Sequence, residues 1–205
     1  LATLSNRAFG MGADLHVVTI QGWRRGDDPW RGALPWVPPS PNMPTPDTAL
    51  VYPGMGLLEG TNVSEGRGTT RPFETVGAPW VGAQALAARL NAMDLPGVRF
   101  RPTWFTPTFS KHAGTACPGV QLLVTDRAAF RPVRTGLAVL MALDDQHPQD
   151  FAFLPGKPPF FDHLAGVGDL RAAIQRGDTL DAIEARWAPA LATFDAERRR
   201  HLLYP

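Results

Sequence analysis

The sequence predicts an α/β fold, with a small mixed sheet of about four strands, flanking helices and long proline-rich loops. Segments in which apolar residues alternate, as in strands, are followed along the chain by segments with helical periodicity, which is typical of α/β domains. The chain has 205 residues, of which 44% are hydrophobic, enough to bury one core. Proline occurs 21 times, about twice its usual share, and this predicts rigid, ordered connections.

The first predicted elements lie near the amino terminus. The first dozen residues indicate the end of a helix that Gly10 and Gly12 close. The run "DLHVVTI", residues 14–20, then places apolar side chains on both faces of an extended chain. It predicts a strand that is buried on both sides. His16 within it is expected to be a structural histidine rather than a ligand.

A proline-rich arm is predicted next. Eight prolines lie between Pro29 and Pro53. Because proline fixes its own φ and pushes the preceding residue toward extended geometry, we expect no helix in this arm. The run "TALVY", residues 48–52, predicts a second buried strand at its end.

The rest of the chain alternates more regularly. Residues 97–105 and 119–126 predict the third and fourth strands. An amphipathic stripe indicates a helix over 82–93, and a second, buried helix is expected from Thr135 to just before Pro148. Further helices are expected over 160–166, 169–177 and from Thr179, with a break at Pro189.

Composition and motif spacing argue against several functions. The net charge of +1 gives no basic surface for nucleic acid, and no apolar run is long enough for a membrane span. Cys117, the single cysteine, permits no internal disulfide and is interpreted as a small buried residue. The five histidines lack the spacing of a zinc site, and the glycine turn after residue 53 has Glu59 where a dinucleotide fingerprint needs glycine. We therefore expect no metal and no cofactor.

The candidate site begins with a polar loop, "LLEGTNVSEGRGTTRPFE", residues 57–74. Its glycines allow sharp turns and close approach to a ligand. Its acids, amide and hydroxyl suit polyol recognition, and its guanidinium groups suit a carboxylate. The alternative is a self-bonded loop in which an arginine pairs with Glu65 or Glu74. The candidates here are Glu59, Asn62, Ser64, Glu65, Arg67 and Arg71.

A second candidate stretch, "TPTFSKHAG", follows the third predicted strand. Ser110, Lys111 and His112 stand in a row within it. The alternative is an ordinary turn. Sugar sites combine aromatic platforms with a few placed polar groups, and Trp36 and Trp104 are candidate platforms, although either residue could also belong to the core.

Long motifs also carry a resemblance to a known family. The stretches from Gly22 to Trp80, Leu95 to Asp126 and "FLPG" at 153–156 resemble the exo-β-N-acetylmuramidase family of bacterial cell-wall enzymes. The similarity runs from about Gly12 to Tyr204. It implies a glycoside hydrolase that removes terminal N-acetylmuramic acid from the non-reducing end of peptidoglycan fragments, outside the cell or in the periplasm.

The resemblance also implies an organisation. Members carry a Rossmann-like domain before a smaller α/β domain, with the substrate cleft between them. We expect residues 1–205 to be the single carboxyl-terminal domain, without the amino-terminal Rossmann-like domain and therefore incomplete or inactive without that partner.

The resemblance suggests roles for the candidate residues. Glu59 is then the first candidate for a catalytic carboxylate or substrate orienter, and Glu65 is the second. His112 could contact a sugar hydroxyl or assist proton transfer. Arg67, Arg71 or Lys111 would bind the lactyl carboxylate of the sugar. A non-catalytic module that binds cell-wall glycan is the alternative function.

Overall fold

The computed structural model describes residues 1–27 and 34–204. These residues divide into two compact units: the central unit, Trp36–Leu180, and the terminal unit, which combines Leu1–Pro35 with Asp181–Pro205. The helices are α1 (Ala2–Ala8), α2 (Pro46–Met55), α3 (Ala83–Ala92), α4 (Pro132–Gln146), α5 (Phe160–Ala165), α6 (Asp169–Gln175) and α7 (Leu180–Arg199). The strands are β1 (Thr75–Gly77), β2 (Val98–Phe105) and β3 (Cys117–Val124).

The sheet of the central unit is antiparallel throughout, in the order β1-β3-β2. The α/β class is confirmed, and so are the strands predicted over 97–105 and 119–126. The sheet nevertheless has three strands in the described residues, rather than the four of a mixed sheet. Gly119 permits the tight pairing of β1 and β3, because a Cβ there would lie 1.9 Å from the carbonyl oxygen of Val76.

Helix α3 packs against strands β2 and β3, and α4 packs against α3 and α2. The predicted stripe of α3 is confirmed, with Leu86 and Leu90 fully buried. Helices α2 and α4 meet at two glycines. A Cβ on Gly54 would lie 1.8 Å from the carbonyl oxygen of Pro132, and one on Gly136 would lie 2.3 Å from the carbonyl oxygen of Gly54. Only glycine permits so close an approach of the two backbones.

Residues 48–52 are helical, so the prediction of a strand there, and of a helix-free proline arm, was wrong. Helix α2 begins at Pro46, and the Thr45 hydroxyl accepts a hydrogen bond from the backbone N–H of Thr48 at 3.1 Å. Proline is well suited to the first helical position because the N–H that it lacks would have no intrahelical partner. Pro53 lies within α2, near its end, and does not stop it.

Two other helix boundaries differ from those predicted. Helix α4 begins at Pro132, not Thr135, again with proline at the first helical position. Helix α7 runs through Pro189 without the predicted break. A proline inside a helix removes one backbone hydrogen bond, and here the helix continues on both sides of it. None of the helices in the described part of the chain is both long and apolar enough to cross a membrane.

The terminal unit contains α1, whose end before Gly10 and Gly12 was predicted correctly. Residues 14–20 form no strand here, and the described residues supply no neighbouring strand with which they could pair. Val18 is 94% exposed, and the side chain of His16 is 86% exposed, so the prediction of a strand buried on both sides, with His16 as a structural histidine in it, was wrong. The part of the predicted arm over residues 28–33, with Trp30, lies outside the described residues.

Candidate functional site

The polar loop is ordered by backbone contacts. A short 3-10 helix over Gly56–Gly60 follows α2 directly and carries Glu59. Gly60 lies against α5, since a Cβ there would come within 2.6 Å of Phe161 Cα. Beyond it, Thr61 pairs with Phe153 and Ser64 pairs with Gly77 as isolated antiparallel bridges. The first half of the loop, up to Ser64, is thus held by other segments of the central unit.

Four charged side chains of the two candidate stretches meet in one place, which we call the acid–base cluster: Glu59, Glu65, Arg67 and Lys111. Arg67 bridges the two acids, with Nη2 lying 2.9 Å from Glu59 Oε2 and Nε lying 3.1 Å from Glu65 Oε1. Lys111 Nζ lies 2.8 Å from Glu65 Oε2. The cluster joins residues about 50 positions apart and balances two negative charges with two positive ones.

The members of the cluster differ in their access to solvent. The side chain of Glu65 is 2% exposed, whereas those of Glu59 and Arg67 are 20% and 26% exposed. Burying a charge is costly unless it is paired, and Glu65 has a cation on each oxygen. Glu65 therefore forms the sealed base of the cluster, and Glu59 and Arg67 form its open side.

Lys111 stabilises the polar loop through hydrogen bonds to its backbone. Its ammonium donates to the carbonyl oxygens of Leu58, Thr61 and Val63 at 2.8–2.9 Å. Those three bonds use the three hydrogens of the ammonium group. Glu65 Oε2 consequently has an ion-pair contact at 2.8 Å but no directed hydrogen bond. Lys111 is 21% exposed and fully engaged, so its geometry is that of an organising residue.

Arg67 has one open edge. Its Nε and Nη2 atoms face the two acids, and its guanidinium carbon lies 5.0 Å from the centre of the Phe73 ring, a cation–π arrangement. No partner for Nη1 occurs in the described residues. A guanidinium group held on one side by two carboxylates still presents two N–H donors on the other, which suits an anionic ligand.

Strained backbone surrounds the cluster. Phe73, Ser110 and His112 have φ values of 63°, 71° and 57°, in the left-handed region that residues other than glycine rarely adopt. Such residues cost of order 1–3 kcal/mol each and gather at functional sites. The strain at Ser110 and His112 turns the chain so that Lys111 and His112 both reach the polar loop.

The position of His112 defines its tautomer. Its Nε2 lies 2.8 Å from the carbonyl oxygen of Asn62. Because a carbonyl oxygen only accepts, Nε2 carries the proton, and in the neutral ring Nδ1 is then the acceptor. The half-buried imidazole therefore offers Nδ1 as a hydrogen-bond acceptor.

Three predicted residues bind backbone groups outside the cluster. The Asn62 side chain donates to the carbonyl oxygen of Asp150 at 2.7 Å and accepts from the N–H of Ala152 at 3.0 Å. Buried Ser64 accepts from the N–H of Gly66 at 3.2 Å. The indole N–H of Trp36 donates to the carbonyl oxygen of Met43 at 3.0 Å within the proline-rich arm.

A second charged network joins the predicted Arg71 to Glu74 and two threonines. Glu74, almost buried, accepts hydrogen bonds at Oε1 from the hydroxyls of Thr45 and Thr48 at 3.1 and 2.7 Å, and its Oε2 pairs with Arg71 at 3.0 Å. The pairings of Arg67 with Glu65 and of Arg71 with Glu74, the self-bonded alternative, are thus both present. The Thr45 and Glu74 side chains are separated by 29 positions, and only the N-cap pattern at Thr45 could have indicated one of these partners.

An open groove of about 540 Å³ lies beside the loop. Phe105 and Phe109 line it together with Thr69, Thr106 and Thr108. Gly68, next to Arg67, also lines it, and the N–H and hydroxyl of Thr108 both donate to the carbonyl oxygen of Gly68 at 2.9 Å. The groove joins aromatic faces to hydroxyl groups, a combination that sugar sites use. Trp104, the predicted platform, is exposed on β2 and does not line it.

Cys117 and Asp144, both outside the cluster, are among the groups whose pKa values are displaced. Burial raises the pKa of the Cys117 thiol, which agrees with the prediction of a small buried residue. Burial, and secondarily the charge of Asp145, raises the pKa of Asp144. A thiol whose pKa is raised is a poor nucleophile at neutral pH.

Comparisons with known proteins agree with the motif evidence. The model of the carboxyl-terminal part of exo-β-N-acetylmuramidase NamZ matches residues 50–204, and the model of its amino-terminal part matches residues 1–47. The chain is 49% identical, over 204 residues, to peptidoglycan β-N-acetylmuramidase NamZ of Bacillus subtilis strain 168, covering 100% of this chain and 49% of that protein. The chain thus spans about half the length of this curated relative.

Solved structures are similar as well. Two crystal structures of DUF1343 family proteins from Bacteroides fragilis NCTC 9343 match with TM-scores of 0.90 and 0.61, at 28% and 29% identity. The first match covers 100% of this chain and 55% of the other, and the second covers 82% and 43%. Since a family model matches well over half of the chain, the resemblance inferred from its motifs is confirmed: the chain belongs to the exo-β-N-acetylmuramidase NamZ family.

Proposed function

We propose that the chain is the substrate-cleft part of a glycoside hydrolase that removes terminal N-acetylmuramic acid from the non-reducing end of peptidoglycan fragments. It would act together with the amino-terminal domain of the full-length protein, outside the cell or in the periplasm, where peptidoglycan lies. Family membership supports the reaction class. The observation that connects this proposal with specific residues is the acid–base cluster. In it Glu59 and Arg67 are partly exposed, and Nη1 of Arg67 has no partner among the described residues.

Arg67 is the proposed recognition residue. N-acetylmuramic acid differs from N-acetylglucosamine by a lactyl ether that carries a carboxylate. The open Nη1 edge of Arg67 would bind that carboxylate as a charge-assisted pair. The buried Glu65 and the Phe73 ring hold the guanidinium in one orientation, so it would bind the sugar without first losing much side-chain freedom.

Glu59 and His112 are the proposed chemical groups. Glycoside hydrolysis uses two carboxyl groups, one on each side of the scissile bond. Glu59, partly exposed and paired with Arg67, supplies one carboxylate, and we propose that the amino-terminal domain supplies the other. His112, with Nδ1 free to accept, would contact a sugar hydroxyl or relay a proton.

The other predicted residues have supporting parts in this proposal. Lys111 and Glu65 position Arg67 and the loop. The remaining predicted substrate contacts are Asn62, Ser64, Arg71 and Trp36. Arg71 is the most exposed of these four residues. The groove lined by Phe105 and Phe109 would accept the neighbouring part of the glycan.

The test is the activity of the protein expressed from its complete reading frame on a chromogenic N-acetylmuramide. The Glu59→Gln variant is expected to lose at least about 100-fold in kcat, the usual effect of removing a group that assists proton transfer. Glu184→Gln, in the terminal unit and outside the cluster, is the matched control and should retain activity. Absence of turnover by the wild-type protein would refute the hydrolase proposal.

A binding module without catalysis is the second candidate, and one observation favours it. Both carboxylates of the cluster face cations, an arrangement of acceptors rather than of a proton donor. Affinity for muropeptides, measured by calorimetry in wild type and Glu59→Gln, separates the two. A pure binder shows no turnover and equal affinity in both proteins, whereas a hydrolase loses turnover while the variant still binds.

A further inference from the structure

Residues 14–20 have the composition of a strand that is covered on both faces. In a strand, Leu15 and Val17 would lie on one face, and Val18 and Ile20 would lie on the other. All four are exposed, with Val18 at 94%. β-branched residues in such a pattern are typical of strands inside a sheet, where both faces are covered.

The backbone of this segment also lacks partners. Among the described residues, the N–H groups of residues 15–19 have no acceptor. The N–H of Ile20 donates to the Tyr204 hydroxyl at 2.9 Å, and no donor within residues 1–27 or 34–204 bonds to a carbonyl oxygen of residues 14–20. A run of unpaired N–H and C=O groups in extended conformation is a template for pairing with another strand.

The terminal unit as a whole has almost no core of its own. Ile183 is its only buried residue within the described part of the chain, although most of the large exposed hydrophobic side chains belong to this unit. An open groove of about 410 Å³ in it has walls formed by Leu4, Val17, Phe194 and Leu203. Uncovered apolar surface on this scale marks an interaction site.

The comparisons indicate what covers it. The family model of the amino-terminal part matches residues 1–47, and the curated relative is about twice as long as this chain. We propose that residues 14–20 form an interior strand of a β-sheet, whose other strands come from the part of the full-length protein outside these 205 residues. The terminal unit would then be the surface on which that sheet is completed. This inference does not depend on the proposed enzymatic activity.

Amide hydrogen exchange of the full-length protein tests the proposal residue by residue. The amides of residues 15–20 are expected to exchange at least about 100-fold more slowly than their intrinsic rates, as β3 amides do. Protection should be continuous, because an interior strand is paired on both sides. Exchange at intrinsic rates, or protection only at alternate amides as on an edge strand, would overturn it. So would equal protection in the 205-residue chain that grows with its concentration, since the partner would then be a second copy.

A pair of variants gives an independent readout. In the full-length protein, Val18→Asp should lower the unfolding midpoint by at least about 5 °C, because it buries a carboxylate without a partner. Val167→Asp, at an exposed valine of the central unit, should shift it by less than about 1 °C. If Val18→Asp does not fold, Val18→Thr keeps the branched shape and should give a smaller shift in the same direction. Equal midpoints for the position-18 and position-167 variants would refute the inference.

Discussion

Replacing Lys111 with methionine would show what the base of the acid–base cluster contributes to stability. Methionine keeps most of the length and apolar surface of the lysine stem but has no charge and no donor. The carbonyl oxygens of Leu58, Thr61 and Val63 would each lose a donor at 2.8–2.9 Å. Glu65, 2% exposed, would keep only its contact with Arg67.

The expected magnitude follows from these losses. Removing one partner of a buried ion pair typically costs 3–5 kcal/mol. The three carbonyl oxygens add to that cost, whereas the 21% exposure of Lys111 allows water to replace part of what is lost. A net destabilisation of about 3 kcal/mol corresponds to a fall of about 6–12 °C in the unfolding midpoint, at about 2–4 °C per kcal/mol.

Thermal unfolding of the full-length protein, followed by circular dichroism, measures this shift. The chain has one other lysine, Lys157, which is exposed, so Lys157→Met is a matched control that should move the midpoint by about 1 °C or less. Adding Glu65→Gln to Lys111→Met should restore part of the loss, because the buried carboxylate is then gone. If both methionine variants unfold at the same temperature, Lys111 is not the fastening residue described above.

Three further predictions concern single side chains. Cys117 should react with a thiol reagent at pH 8 at least about 100-fold more slowly than free cysteine, since burial raises the pKa of its thiol and blocks access; fast labelling of the native protein would contradict this. Burial and the charge of Asp145 raise the pKa of Asp144 in the folded state, so the protonated side chain favours folding at low pH and this stabilisation is lost as pH rises through the folded-state pKa. Asp144→Asn should therefore raise the unfolding midpoint at pH 7 and leave it unchanged at pH 3. Gly68→Ala should destabilise by about 2 kcal/mol, because φ is 79° there and a Cβ would lie 2.7 Å from the Phe109 backbone; an unchanged midpoint in thermal scans would exclude that clash.

The parts of the fold that depend on periodicity were predictable from the sequence. Strands β2 and β3 and helix α3 each carry a pattern long enough to identify their type. The run over 48–52 is too short to distinguish a buried strand from a helix turn, and the decisive signal was Thr45 followed by Pro46, a cap and a first helical residue. The prediction of a strand over residues 14–20 failed for another reason, because a strand forms only where a neighbouring strand is available to pair with it.

The candidate site was predictable in its ingredients but not in its contacts. Acids, guanidinium groups and glycines on one loop indicated recognition, and that loop contributes three of the four members of the acid–base cluster. The sequence could not show that Lys111 reaches back about 50 residues to the loop, because such contacts depend on the tertiary path of the chain. Nor could it separate Asn62, whose amide binds backbone at residues 150 and 152, from a free ligand-binding amide. Both uses need the same side chain.

The asymmetry of the acid–base cluster leads to a prediction about substrate selection. Arg67 faces one acid that is sealed and one that is open, so a lactyl carboxylate bound at Nη1 would compete for the guanidinium charge with Glu59 rather than with buried Glu65. Competition for the guanidinium would weaken the ion pair between Arg67 and Glu59 when the sugar binds, and a sugar without that carboxylate would leave the ion pair intact.

Arg67→Gln should therefore reduce the preference for an N-acetylmuramide over the matching N-acetylglucosaminide by at least about 10-fold in kcat/KM, which is about 1.4 kcal/mol of transition-state free energy. Arg99→Gln, at an exposed arginine of β2, is the matched control and should keep the preference. If the preference survives in Arg67→Gln while activity falls equally on both substrates, Arg67 organises the loop without reading the carboxylate, and the recognition role belongs to another cation.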